Sequence, residues 1–240
     1  MSLPLADVLS DTPMRLVHIF LLVAWLGIDV GVFYTSIVVR RAGLSGETRL
    51  VLARLLTFLD LAPRLSLLFM VPVALGLARA SGLGLDELST VAMNALFWGT
   101  LAVTSIWAWA LLREHHLTGA GTSGTPFQRR YRVVDKSLRG VLILFFLVTG
   151  VQSLLGSGIW EAGHVAWKAI VFAIVIAAGE WIDYAFRGFP TAFGELLEKG
   201  ESPELLARFD RSITVAYPPV LLVYGGVIVM AILGVSRIGS

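Results

Sequence analysis

Six long apolar stretches constrain this chain more than anything else in it: about 14 to 38, 64 to 80, 89 to 112, 138 to 157, 163 to 186 and 213 to 235. Each approaches or exceeds the roughly 20 residues that a helix needs to cross a bilayer. Backbone in lipid must satisfy its own hydrogen bonds, as helix or as closed barrel, and the alternating ten-residue strands of a barrel are absent. The expected fold is all-α: an integral membrane protein with six transmembrane helices, forming one domain over residues 1–240. Only 15% of the residues are charged against 56% hydrophobic, far less charge than a soluble domain of this size displays.

The net charge of +2 conceals a strong asymmetry. Arg40, Arg41, Arg49, Arg54 and Arg64 follow span one, and Arg113, Arg129, Arg130, Arg132, Lys136 and Arg139 separate spans three and four. The alternate loops are short and acidic, around Asp86 and Glu87 and around Glu161. The positive-inside rule therefore places the basic loops in the cytoplasm and both termini on the other side. This distribution accounts for the basic residues without any nucleic acid. The opening MSLPLADVLSDTP carries acids where a signal peptide has a basic region, so span one is expected to remain as an anchor. Cysteine is absent, which excludes disulfides, thiolate metal sites, iron–sulfur clusters and covalently attached haem.

Two amphipathic segments should lie along the membrane surface: GETRLVLARLLTFLDLAPR between spans one and two, and TAFGELLEKGESPELLARFDR before span six, interrupted by Gly200 and Pro203. The Gly/Ser/Thr-rich run 117–128 reads as a flexible linker. A shift of 74 positions superimposes 64–113 on 138–187 without a gap, matching Gly76 with Gly150, Gly82 with Gly156, Gly84 with Gly158, Glu87 with Glu161, Trp107 with Trp181 and Arg113 with Arg187. This reads as a duplicated hairpin, in which Thr90 and Asn94 of the first copy stand where the second has His164 and Lys168.

Ionisable residues inside the spans are the functional candidates. His18 in span one and the pair His164 and Lys168 in span five fall at about the same depth, on the non-cytoplasmic side. His164 and Lys168 are four residues apart and share a helix face, which continues through Val171, Val175, Ala178 and Ile182 as an apolar slot. Trp25 and Asp29 lie on the His18 face of span one at about 100° per residue. A histidine can ligate haem b or another metal, so His18 and His164 are metal candidates. Lys168 can pair with a propionate, take a second axial position or hold an anionic substrate. Asp29 is either part of a proton path or a partner of Asn94, Gln152 or Lys168. Met14 with His18 offers a two-ligand set for Cu(I). His115 and His116 sit at a helix end, where hydration is the simplest role.

The segment RLVHIFLLVAWLGIDVGVFYTSIVVR, with His18, Trp25, Gly27, Phe33 and Tyr34, resembles the first helix of the HemJ-type bacterial membrane protoporphyrinogen oxidases. RLVLARLLTFLDLAPRLSLLFMVPVALG, with Pro63 and Gly76, is similar to the family's basic amphipathic helix and second span, GHVAWKAIVFAIV to its lysine-bearing third, and FDRSITVAYPPVLLVYGGVIVM, with Pro218, to its last. Spans three and four would then be the inserted hairpin. The related copper-resistance D-type membrane family shares the His-bearing architecture. The resemblance implies a haem b ligand at His18, a functional lysine at Lys168, a quinone-linked oxidoreductase and a bacterial inner membrane. Residues alone leave other classes open: a non-catalytic subunit of a larger membrane complex or a homo-oligomer packed through glycine-rich faces, and a transporter of copper or a small anion.

Overall fold

In the computed structural model, which describes residues 10–119 and 124–236, the chain is an all-α integral membrane protein. Its helices are α1 (Asp11–Val38), α2 (Gly46–Leu59), α3 (Leu61–Ala80), α4 (Thr90–Gly119), α5 (Pro126–Leu154), α6 (Gly163–Ala185), α7 (Phe189–Lys199), α8 (Pro203–Thr214) and α9 (Tyr217–Val235), with a 3₁₀ turn at Phe186–Gly188. Helices α1, α3, α4, α5, α6 and α9 each carry an apolar window long enough to cross a membrane. At about 1.5 Å per residue, α1 is about 42 Å long, more than the hydrocarbon core of a bilayer. Its Leu16, Phe20, Val23 and Val30 are exposed on the bundle surface, as lipid-facing side chains are.

Local chemistry sets where the helices start and stop. Thr125 and Gln128 form a capping box and Pro126 opens α5. Hence α5 starts twelve residues before its apolar stretch, just as α4 runs on past position 112. Arg113 on that extension lies 4.4 Å from the Phe127 ring centroid, joining the two helices beyond the span. Residues 120–123 of the expected linker lie outside the described residues. The second surface segment is two helices, broken at Gly200 (φ 78°), with Ser202 capping α8 through the Leu205 amide. Span six starts at Tyr217 because α8 continues through Thr214 before the chain turns.

The six membrane helices close a circuit. α1 packs on α3, α3 on α4, α5 on α6 and α6 on α9. Trp107 joins α4 to α5 by donating to Asp135. Tyr224 joins α9 to α1 by donating to the Asp29 carbonyl at 2.8 Å, and Phe33 stacks obliquely on Tyr217 with centroids 5.0 Å apart. At the basic-loop end, α2, α7 and α8 form a separate apolar cluster around Val39, Ala192, Leu196, Phe209 and Ile213. Arg49 is buried there, donating to the carbonyls of Val39 (2.6 Å) and Arg41 (2.8 Å) and pairing with Glu201.

The opposite end is tied by its two loops. Leu85 donates to the Ile159 carbonyl at 3.0 Å and Glu161 to the Leu83 carbonyl at 2.9 Å, in an antiparallel bridge of Gly84 with Trp160. Leu85 and Ile159 are 74 residues apart, so the bridge sets residues equivalent under the sequence shift against each other. Leu85 has φ 67°, held there by Arg79, which donates to the Leu85 carbonyl and pairs with Asp86. Gly76 and Gly150 are also equivalent, and each marks the close contact of its own hairpin. A Cβ on Gly76 would stand 3.2 Å from Phe97, and one on Gly150 would stand 2.7 Å from Ile170.

Candidate functional site

The polar residues inside the bundle fall into two levels along α1. His18 is seven residues into the helix and Asp29 eighteen, so about 16 Å of rise separates them.

At the upper level, near the acidic loops, His18 is half-buried, and its buried Nδ1 has no hydrogen-bond partner among the described residues. It lies within electrostatic range of Lys168 of α6. His164, half-exposed, occupies the first turn of α6, one turn from Lys168. The slot expected along Lys168, Val171 and Val175 is occupied by α9. A Cβ on Gly234 would stand 3.0 Å from the Lys168 amine, and one on Gly226 would stand 2.4 Å from a Val175 methyl. Small residues on α9 let it lie directly on α6, as in close membrane-helix contacts. Met14 is buried with its sulfur against Gly76 and the Phe97 ring, so it serves helix packing. Among the described residues, no three His, Cys, Asp or Glu side chains are grouped as a metal site requires.

At the lower level, toward the basic loops, a cavity of about 100 Å³ lies on the bundle axis, lined by residues of all six membrane helices. Trp25 and Asp29 enter it from α1, Arg64 from α3, Trp107 from α4, Asp135 and Arg139 from α5, Asp183 from α6 and Val223 from α9. A second space of about 200 Å³ adjoins it on the side of α2 and the 3₁₀ turn, sharing Asp29, Asp60, Arg64, Ile182 and Asp183 as a common wall. Such volumes hold several waters where polar partners exist.

The charges in this wall are organised around two arginines. Arg64 meets Asp60 at 2.6 Å and Asp183 at 3.0 Å. Arg139 meets Asp135 at 3.1 Å, Glu180 at 3.1 Å and Asp183 at 3.0 Å. Tyr131 and Trp107 donate to Asp135 as well, so its charge is compensated three ways. Four carboxylates thus share two guanidinium groups. Asp29 stands beside them, closest in electrostatic influence to Asp60 and Arg64, yet no described group hydrogen-bonds or pairs with its carboxylate. A carboxylate in that situation can accept and release a proton or balance a cation that enters the cavity.

Of the residues singled out in the sequence, His18 and Lys168 lie within electrostatic range of each other, and Trp25 and Asp29 share the cavity. His164 belongs to the upper level only. Arg64 and Arg139 stand in the basic runs that the sequence places at loops, yet with Asp60, Asp135 and Asp183 they build the lower site. A signal was present: the spacing Asp-x-x-x-Arg occurs at Asp60 and Arg64 and again at Asp135 and Arg139, each where a span opens. That pattern of internal ion pairs at i and i+4 marks arginines carried into the membrane with their own counter-ion.

No family model matches this chain, and neither the curated proteins nor the solved structures hold a significant match to it.

Proposed function

We propose that this chain is a proton-translocating membrane carrier in which Asp29 takes up and releases a proton inside the six-helix cavity. The observation that carries the reading is the unpartnered Asp29 carboxylate in a space to which every membrane helix contributes. Ionisable groups at membrane depth mark ion and substrate pathways, because their burial has to be offset by function. The positive-inside rule places the wider space, and so the approach to Asp29, on the cytoplasmic side. Trp25, one turn from Asp29 along α1, is buried and belongs to the apolar core with Leu75, Phe172, Val175 and Val227. An apolar core of that kind beside the cavity suits a carrier, which opens to one side at a time, rather than a channel. The test is proton flux into proteoliposomes holding a pH dye, driven by a potassium diffusion potential. Wild type should acidify the lumen and Asp29→Asn should not. A wild type no faster than empty vesicles, or an Asp29→Asn variant as fast as wild type, overturns the reading.

A second reading rests on His18. Its buried Nδ1 without a partner is an observation that favours ligation, and the resemblance to the HemJ-type family points to haem b, with quinone-linked redox chemistry supplied by that group. His18 would hold the iron and Lys168 a propionate. The fit is partial, because α9 fills the α6 face beneath Lys168 through Gly226. An absorbance spectrum of purified protein supplied with haem decides it: a Soret band lost in His18→Ala supports the reading, and a colourless protein overturns it.

A further inference from the structure

We infer that the cavity at Asp29 binds a small organic cation, an alkylammonium or guanidine-type group, with Asp29 as its counter-ion and the rings of Trp25, Trp107 and Tyr131 as its walls. This rests on the carrier reading and names the class of solute carried.

Charge selects the sign of the ligand. The two arginines of the wall are each engaged by two or more carboxylates, so they are not available to an anion. Asp29 remains as a carboxyl group without a hydrogen-bonding partner among the described residues, and in its ionised form it attracts one opposite charge strongly in this low-dielectric setting. The kind of cation follows from the rest of the wall. A hard inorganic ion exchanges its hydration shell for several oxygen ligands at fixed distances, and no such group of three acids exists among the described residues. A weakly hydrated organic cation needs less: one carboxylate, aromatic faces and apolar contact for its carbon atoms. The cavity offers all three. Trp25 and Trp107 are 4% and 5% exposed, and the Trp107 indole is fixed by its bond to Asp135 at 2.8 Å. Leu67, Val175 and Val223 supply apolar surface between the rings. The volume of about 100 Å³ restricts the ligand to a few heavy atoms unless it extends into the adjoining space.

The rings serve as reporter. Purified full-length protein is titrated with tetramethylammonium chloride, with guanidinium chloride at low millimolar concentration, and with potassium chloride and sodium acetate at matched ionic strength, while tryptophan fluorescence and the melting temperature are followed. A saturable fluorescence change and a raised melting temperature are expected for an organic cation and not for potassium or acetate. Asp29→Asn should abolish the response, and Trp25→Leu should weaken it by roughly tenfold. Asp29→Glu, which restores the charge, should keep a response and so separates loss of binding from loss of folding. An equal response to potassium, or one that survives in folded Asp29→Asn, overturns the inference. If wild type conducts protons but answers no organic cation, only this inference fails; if it conducts none, the carrier reading has failed beneath it.

Discussion

Arg139 of α5 donates to Asp183 of α6 at 3.0 Å, and the other oxygen of the same carboxylate accepts from Arg64 of α3 at 3.0 Å. One aspartate thereby joins the two hairpins at the level of the cavity, and each arginine also carries its own helix's aspartate, Asp60 or Asp135.

Arg139→Gln should destabilise the protein by about 3 kcal/mol or more, because it leaves Asp135, Glu180 and Asp183 with one guanidinium among them. Thermal unfolding in detergent measures this. Combining Arg139→Gln with Asp183→Asn should recover part of the loss, since the double variant removes one stranded charge. A single variant that melts with wild type contradicts the assigned role of the network.

Gly226→Leu should separate α9 from α6. Even a Cβ there would meet Val175 at 2.4 Å, and overpacking of this kind costs about 1–3 kcal/mol. The melting temperature should fall, whereas Gly225→Leu, at a position where a Cβ meets nothing within 4 Å, should leave it nearly unchanged. Equal effects at both sites would show that α9 does not rest on α6 through Gly226.

The fold is legible in the sequence because hydropathy alone fixes six spans once water is excluded, and because Gly200 and Pro203 announce a helix boundary; the start of α5 at Pro126, inside the expected linker, is not. The upper polar level is marked in the sequence only by depth: His18 and Lys168 lie within electrostatic range of each other, which equal depth permits but does not require. Their slot is not legible, since only the packing shows that Gly226 and Gly234 bring α9 onto the same face. Asp29 stood out as a buried acid, but its neighbours come from α2, α3 and α6, and hydropathy counting carries no information about which helices adjoin. The role of Arg64 is hidden in the sequence for a related reason. A charge near a span end looks solvated until the surrounding helices are placed around it.

His18→Leu should stabilise the fold by about 1 kcal/mol. A buried polar atom without a partner costs roughly 1–3 kcal/mol, and an apolar side chain of similar size removes that cost. Chemical denaturation of the variant beside wild type checks this. Marked destabilisation would show that the histidine holds a structural bond that the arrangement of α1 and α6 does not reveal.

Glu201, outside the spans, is held below the usual glutamate range by the hydrogen bond from Arg49 and by the Gly43 amide. A lowered carboxyl pKa stabilises the folded form above the ordinary range, and that stabilisation is lost as the pH falls through the folded-state value. The α2, α7 and α8 cluster should therefore loosen in acid. Proteolysis at the Gly200 turn should accelerate as pH is lowered below the glutamate range, and Glu201→Gln should be cut quickly at every pH. A variant with the wild-type pH profile contradicts the assignment.

Asp29 is the carboxylate at membrane depth that has no partner among the described residues, and covalent labelling tests its state most directly. Dicyclohexylcarbodiimide partitions into the apolar phase, where a protonated carboxyl group without a charged partner adds across one of its C=N bonds, and the O-acylisourea formed rearranges to a stable N-acylurea. Mass-spectrometric mapping of its adducts should find Asp29 modified, and Asp60, Asp135 and Asp183, held by Arg64 and Arg139, untouched. An unmodified Asp29 beside labelled ion-paired aspartates would contradict the account.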